Sequence, residues 1–499
     1  MVVVKSIPSI LSRKLMLAIG LALPLCVATA DVETIEEVVV TAELRAVAVS
    51  EVAGSVSLLI PDDRSDVVNH LEEVLARAVN VNFASGASRA RFVQMRGIGE
   101  RGQFAEPLNS SVGLLIDGVD FSGIGTAATL FDVSQIEILR GPQGTLYGAN
   151  ALAGLINVVT PGSTIDWQNR IQFDVGNYGA QGAGAVISGP LTDDVGMRLS
   201  ARKYQDDGFI DNVFLPSSNT DNHDESTVRL KLDGRSEALS WQLAGGLVDV
   251  ANGYDAFSLD NNRQTRSDQP GVDEQVSRYL SARVEINNLD WAQLIASAGY
   301  VSSDVRYGYD EDWTYAGFHP YGYSSTDNYA RGINTATVDV RWLSKDSRED
   351  VLSWLVGVYL LDRDVDLVRD YTWLEQSFTS QFALERHAIY GEVRLPMTSL
   401  WTLSVGARAE IHQADYQDNA GVRFRPEDDL FGSRLRIERR FADQGLGYVS
   451  FTQGYKSGGF NTSGTLDADL RLFNPETLWN FEVGYKAKIF ADRGEVRLA

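Results

Sequence analysis

A chain of 499 residues with 44 Lys and Arg against 67 Asp and Glu carries a formal charge of −23, the wrong sign for a surface that tracks nucleic-acid phosphates. One Cys excludes a disulfide framework and a thiolate metal site. The mean hydropathy of −0.14 excludes a bundle of membrane helices, but not a membrane barrel, whose strands turn an apolar side chain to lipid only at every second position.

Lys5, Arg13 and Lys14 precede a nearly unbroken apolar run from Leu15 to Val27, and Ala28-Thr29-Ala30 fits a small-residue cleavage pattern. The run is too short to cross about 30 Å of hydrocarbon, so residues 1–30 are predicted to be an export signal. Leu25 stands where a lipidated Cys26 needs a small neighbour, so Cys26 is predicted to leave with the signal. The loss takes three basic residues and no acid, which moves the formal charge to −26. Residues 31–45 follow as a short acidic stretch in which Val38 to Thr41 favour an extended chain. Such a strand either opens the next domain or adds to the sheet edge of another protein.

Residues 46–160 read as a compact mixed domain. A helix is predicted over 66–79, with Val67, Leu71, Val74, Leu75 and Ala78 on one face and Asp66 as its cap. Short strands are predicted at 92–96, 111–117, 136–140 and 154–160, punctuated by turns at Asp117-Gly118 and Gly141-Pro142. From 161 to 499 the texture becomes a train of alternating strands, of which Val228-Arg229-Leu230-Lys231-Leu232-Asp233 is a plain case. Roughly fourteen or fifteen strands are predicted. Without helical periodicity or a fixed short repeat, the train predicts a mainly β fold, a transmembrane antiparallel β-barrel rather than a solenoid.

Motifs for chemistry are sparse. Gly97-Ile98-Gly99-Glu100-Arg101-Gly102 spells the dinucleotide pattern, but no helical pattern follows it, so its glycines read as turn residues. No nucleophile elbow or phosphate loop occurs, and His70, His223, His319, His387 and His412 lie scattered. The sequence therefore predicts no catalytic residues, no metal centre and no cofactor.

Residues 140–160, Arg140-Gly141-Pro142-Gln143-Gly144-Thr145-Leu146-Tyr147-Gly148-Ala149-Asn150-Ala151-Leu152-Ala153-Gly154-Leu155-Ile156-Asn157-Val158-Val159-Thr160, closely resemble the plug signature of TonB-dependent outer-membrane receptors. Ile136-Glu137-Ile138-Leu139, Arg96-Gly97-Ile98-Gly99 and Ile116-Asp117-Gly118-Val119 fit the same pattern. So do Gly454-Tyr455-Lys456-Ser457-Gly458-Gly459-Phe460-Asn461 and Asn474-Pro475-Glu476-Thr477-Leu478 near the end. Ala149 and Ala153 depart from it, standing where the family usually has Arg and Gly. The resemblance implies a plug enclosed by a barrel of 22 strands in the Gram-negative outer membrane. It implies that Glu36, Glu37, Val38, Val39, Val40, Thr41 and Ala42 form the box captured by TonB, the energy-coupling protein of the inner membrane. The cargo it implies is an iron–siderophore complex; vitamin B12 or an oligosaccharide is the alternative, and a non-transporting outer-membrane binding or structural protein, or a non-functional fragment, is the alternative of another class. Residues 31–45 leave no room for a signalling domain.

Alternation then predicts which residues meet the plug. Ile389, Gly391, Val393 and Leu395 alternate with Tyr390, Glu392 and Arg394, while Phe481 and Val483 flank Glu482. With the apolar set on lipid, Glu392 and Glu482 face inward and are expected to pair with Arg96 and Arg140 of the plug, as the family's pattern also implies, or else to be ordinary lumen charges. Between 306 and 325, Tyr307, Tyr309, Trp313, Tyr315, Phe318, Tyr321 and Tyr323 suit stacking on a flat cargo, or alternatively an interfacial girdle. Residues 251–275 read as another long outer loop, and 100–109 and 122–128 as plug loops flooring the site. The haem motif is not matched by Phe424-Arg425-Pro426. Arg497-Leu498-Ala499 falls in mid-strand and the count falls short of 22, so an incomplete barrel, truncated at its C-terminus, is expected.

Overall fold

The computed structural model describes residues 39–40, 47–61, 70–84, 89, 92–100, 109–124, 130–345, 351–441, 445–460, 471–489 and 494–499. The predicted signal at 1–30, and all of the 36–42 box except Val39 and Val40, lie outside these residues. Among the described residues no helix is long and apolar enough to cross a membrane.

The N-terminal unit carries β1 (Val39–Val40), β2 (Val47–Ala48), β3 (Val56–Leu59), α1 (Leu71–Leu75), β4 (Val81–Ala84), β5 (Phe92–Met95), β6 (Val112–Ile116), β7 (Val119–Asp120), β8 (Gln135–Arg140), α2 (Gly144–Tyr147) and β9 (Gly154–Val159). Five strands form one sheet in the order β3-β8-β9-β6-β7, with β6 and β9 parallel. Ile136, Ile138, Leu139, Leu155, Ile156 and Val158 are buried on both faces of it, which is why β8 and β9 read as apolar runs rather than alternations. Asp117 and Gly118 turn β6 into β7 with φ of 48° and 81°, the left-handed pair that a two-residue hairpin requires. The helix expected over 66–79 is described only at Leu71–Leu75, and Asp66 and Val67 lie outside the described residues. Its N-cap is His70, whose N–H donates to the Glu73 side chain at 3.4 Å. Leu71, Val74, Leu75 and Ala78 are buried together, as their period predicts.

The wall begins with β10 (Gln168–Val175), β11 (Gln181–Pro190), β12 (Val195–Asp206), β13 (Asp211–Asn212), β14 (His223–Arg235), β15 (Leu239–Tyr254), β16 (Gln264–Thr265), β17 (Gly271–Ile286), β18 (Ala292–Asp310) and β19 (Thr326–Ser344). It continues through β20 (Ser353–Tyr371), β21 (Phe378–Pro396), β22 (Trp401–Asp418), β23 (Arg423–Phe424), β24 (Glu427–Arg440), β25 (Leu446–Lys456), β26 (Gly459–Phe460), β27 (Leu472–Phe473), β28 (Glu476–Ile489) and β29 (Gly494–Leu498). Fifteen of these follow one another antiparallel from β10 to β29, and among the described residues no pairing joins β29 to β10. Ile389, Val393, Phe481 and Val483 point outward and are exposed, while Tyr390 and Glu482 point inward and are buried. Outward apolar and inward polar side chains are the division a lipid-facing barrel wall makes. Long connections at 207–222, 255–270, 311–325 and 457–475 alternate with short turns at 191–194, 236–238, 287–291 and 397–400.

Two features differ from the sequence expectation. The strands run longer than their alternation, 19 residues in β18, β19, β20 and β21, because the ends beside the long connections carry polar residues. The loops expected at 251–275 and 306–325 shrink accordingly to 255–270 and 311–325. β11 carried no strand signal because its inward positions include Gly182 and Gly184. A Cβ at Gly184 would stand 2.6 Å from the Phe131 ring of the enclosed unit, so the absent side chain is what makes room for it.

Candidate functional site

The interface between the enclosed unit and the wall mixes apolar and polar contacts. Val301, Val305 and Ile333 of the wall join the buried cluster around Phe121 and Ile124, and Leu146 packs on Ile295, Leu343 and Leu355, while charged pairs surround these patches. Arg96 reaches Glu482 at 2.6 Å, and Glu482 also accepts from the Ser55 N–H at 3.1 Å and the Tyr448 hydroxyl at 2.8 Å. His70 Nε2 lies 2.7 Å from Glu225, and Arg89 is 2.8 Å from Asp273. Lys456 holds Glu100 at 2.6 Å and Lys231 holds Asp117 at 3.1 Å. Arg198 Nε donates to Asp132 at 2.8 Å. Burial alone would lower the His70 pKa, but the adjacent Glu225 carboxylate outweighs it and raises the imidazole to about 10.

Of the four residues expected to make plug–wall ion pairs, the structure brings Arg96 and Glu482 together. Glu392 is instead taken by Arg434 of β24. The register explains the substitution: Gly406 of β22 stands between them, opposite Glu392 on one side and Arg434 on the other, and its missing side chain lets the guanidinium cross the strand. Arg140 donates to the Val79 carbonyl at 2.8 Å and to the Ser57 hydroxyl at 2.9 Å. Burial and the neighbouring Arg96 push its guanidinium below its usual range. The wall contacts of His70, Arg89, Glu100, Asp117 and Asp132 were not anticipated. Asp117 was legible only as a turn residue, and nothing local in sequence marks the other four.

The glycines of the plug signature have steric reasons. At Gly148, with φ of 77°, a Cβ would collide with Glu410 and Arg408 of the wall. At Gly141, with φ of 89°, it would meet Asn480 at 3.4 Å. At Gly148 both the collision and the positive φ disfavour any other residue; at Gly141, where the contact is an ordinary one, the positive φ alone does so.

Most of the rings expected to receive cargo are engaged with each other. Tyr307 and Tyr309 belong to β18 rather than to a loop, and Tyr307 packs with Tyr254, Tyr329, Leu367 and Phe378. Trp313 stacks on Phe257 at 4.7 Å, Tyr315 on Phe214 at 4.5 Å, and Tyr323 on His319 at 4.6 Å. Phe318 meets Tyr315 edge-on at 5.5 Å. The stacks tie the 311–325 connection to the segments around Phe214 and Phe257, so the rings assemble one lid of three connections. Tyr321 alone of the seven stands clear, 92 % exposed.

A cavity of about 1000 Å³ lies between the enclosed unit and the wall at its short-turn end. Val47, Ala48, Glu51 and Val52 line it on one side, Arg341, Glu392, Arg394 and Glu438 on the other, and Asp120 and Ser122 also border it. Beside it β1 pairs antiparallel with β2, and Val40 is fully buried with Val49, Val52, Val56, Leu139 and Leu155. Among the described residues no group of three or more His, Cys, Asp or Glu side chains is arranged to hold a metal ion.

Comparison with known proteins agrees with this architecture. The family described as "TonB-dependent Receptor Plug Domain" matches residues 48–155, and "TonB dependent receptor-like, beta-barrel" matches residues 162–499. Both describe receptor domains rather than enzymes. The pesticin receptor of Yersinia enterocolitica is 24% identical over 411 residues, covering 79% of this chain and 59% of that protein. The vitamin B12 transporter BtuB of Photobacterium profundum is 27% identical over 207 residues, 40% of this chain and 33% of that one. The crystal structure of the ferric yersiniabactin uptake receptor from Yersinia pestis superposes with a TM-score of 0.74 at 20% identity, over 88% of this chain and 70% of that one. That likeness speaks to the fold. The chain spans 59% of the length of the pesticin receptors it matches.

Proposed function

The chain belongs to the TonB-dependent receptors of the outer membrane, and from that membership we propose that it serves energised uptake of an iron chelate, a ferric siderophore, across that membrane. On this reading residues 1–30 are the export signal, 31–45 the TonB box and tether, 46–160 the plug and 161–499 wall. The observation that carries the reading is the way the plug is held. Ion pairs join it to the wall, contacts that can be broken and remade, beside apolar patches such as Leu146 on Ile295 and Leu355. A β-branched strand at Val39–Val40 lies at its N-terminal edge, where a partner that captures strands by edge addition would take hold. The partner so proposed is TonB, acting on residues 36–42. Tyr321, and with it the exposed Trp313, Phe318 and Tyr323, are aromatic residues left open to a cargo.

Deletion of residues 36–41 tests the proposal in cells grown under iron limitation with a panel of iron chelates. Energised uptake is expected to be lost while binding of the chelate at the cell surface is retained. Uptake that continues without the segment overturns the reading.

A further inference from the structure

The plug unit meets the middle of the wall through a layer with more buried positive charge than negative. Arg363 of β20, Arg386 of β21 and Arg408 of β22 all point inward and are each at least nine-tenths buried, and the carboxylates of the layer are Asp120 and Glu410. Arg363 stands opposite Leu384, two residues from Arg386 on the same face, which makes the two guanidiniums diagonal neighbours. Glu410 Oε2 takes Arg408, through Nε at 2.9 Å and Nη2 at 2.7 Å, and the Tyr455 hydroxyl at 3.3 Å, while Glu410 Oε1 is buried with no hydrogen-bond partner among the described residues. Asp120 accepts from the Ser122 N–H at 2.8 Å and from Asn150 at 3.3 Å, and reaches Arg363 at 3.6 Å. Arg363 Nη2 is buried with no hydrogen-bond partner among the described residues.

Arg386 is left with neutral acceptors. Its Nη2 donates to the Asn109 side-chain oxygen at 2.6 Å, and its Nε to His412 Nδ1 at 3.2 Å. Glu410, opposite Ala388, stands diagonal to Arg386, but among the described residues no carboxylate hydrogen-bonds this guanidinium. A buried guanidinium so placed is costly, and a forked cation selects oxyanions above other ligands. Asn109 sits at the plug side of the contact, and its Nδ2 in turn donates to Ser457 of the wall at 2.5 Å. One amide side chain thus fills the position of an anion and ties the plug to the wall at that point.

We propose that Arg386, flanked by Arg363, is an anion seat: a carboxylate oxygen of an anionic iron chelate replaces the Asn109 oxygen on Arg386 and releases Asn109 from the wall. The inference rests on the uptake reading and gives its cargo a charge. It is specific to this patch, since the chain as a whole is strongly acidic.

The test uses the full chain folded in detergent, with iron(III) citrate as the carboxylate probe and an iron(III) trihydroxamate without carboxylates as the contrast. Binding is followed by titration and plug docking by thermal unfolding. Wild-type protein should prefer the citrate complex. Arg386→Gln should weaken that binding about tenfold or more, the loss of a charge-assisted hydrogen bond, and Arg386→Lys, which keeps the charge without the fork, should fall between. Asn109→Asp is the decisive variant because it tethers a carboxylate in the seat. It should lose citrate binding and melt at a higher temperature than wild type. Unchanged citrate binding in Arg386→Gln and Asn109→Asp, or a lower melting temperature in Asn109→Asp, overturns the seat. Wild-type protein that binds the trihydroxamate complex and not the citrate complex also overturns it and leaves the uptake reading standing. Failure of both complexes to bind overturns the seat and counts against the uptake reading as well, whatever the melting temperature of Asn109→Asp.

Discussion

Glu482 is the residue on which most of one corner of the interface depends. It receives Arg96, a plug backbone N–H and a wall hydroxyl, so Glu482→Gln leaves Arg96 partly buried without its counter-charge, a loss of about 3 kcal/mol. Thermal unfolding and protease cleavage of the plug read the effect. Glu482→Arg should weaken docking further, and adding Arg96→Glu should restore part of it; no restoration would mean that the pair does not hold the corner. The His70–Glu225 contact adds a pH dependence of known sign. Because the His70 pKa is raised from 6.5 to about 10 in the folded protein, its stabilisation is fully present below pH 6.5 and lost as pH rises through about 10. Protection factors around α1, with the base-catalysed rise in intrinsic exchange divided out, should therefore fall between those values in wild type. In His70→Gln that fall should be flattened, and an unchanged profile would sink the assignment.

Two glycines carry the logic of whole strands. Gly406 lets a charge pair cross β22, so Gly406→Leu should part Arg434 from Glu392 and cost about 1–3 kcal/mol by overpacking, read as a lower melting temperature with the strand register intact. Gly184→Val should drive β11 off Phe131 and loosen the plug on that side, seen as earlier cleavage of the plug by protease. The same glycines show what a sequence hides at this scale. β21 and β28 were legible because lipid on one side and a polar lumen on the other force a period of two. β11 was not, because Gly184 among its inward positions must be empty for the plug to fit, and emptiness has no hydropathy. The plug strands β5, β6, β8 and β9 were readable from apolar runs between turn residues. Which lumen charge pairs with which plug charge depended on curvature and register, so Arg96 and Glu482 meet while Arg140 and Glu392 find partners on their own side.

At the scale of the molecule, the plug is clamped by buried charges of both signs as well as by apolar contacts with the wall. Such pairs are screened far less than surface ones, even where the Debye length shrinks to about 3 Å at 1 M salt. Protease cleavage of the plug should therefore differ little between low and high salt, and release by salt alone would contradict the burial of its contacts. The aromatic lid over the long connections was readable as aromatic density, but its use in ring-on-ring stacking was not, because the partners Phe214 and Phe257 lie far off in sequence. The position of Val40 has a mechanical consequence. On the proposed reading the grip for an outside pull is folded into the same cluster as Val49, Val52 and Leu155, and Val47, Ala48, Glu51 and Val52 border the cavity beside it. Tension there would part β1 from β2, a pair of two residues on each strand. The first stretch of chain to be drawn out is then the curtain of the void itself, so the opening widens from the side being pulled while β8, β9 and β6 stay at rest.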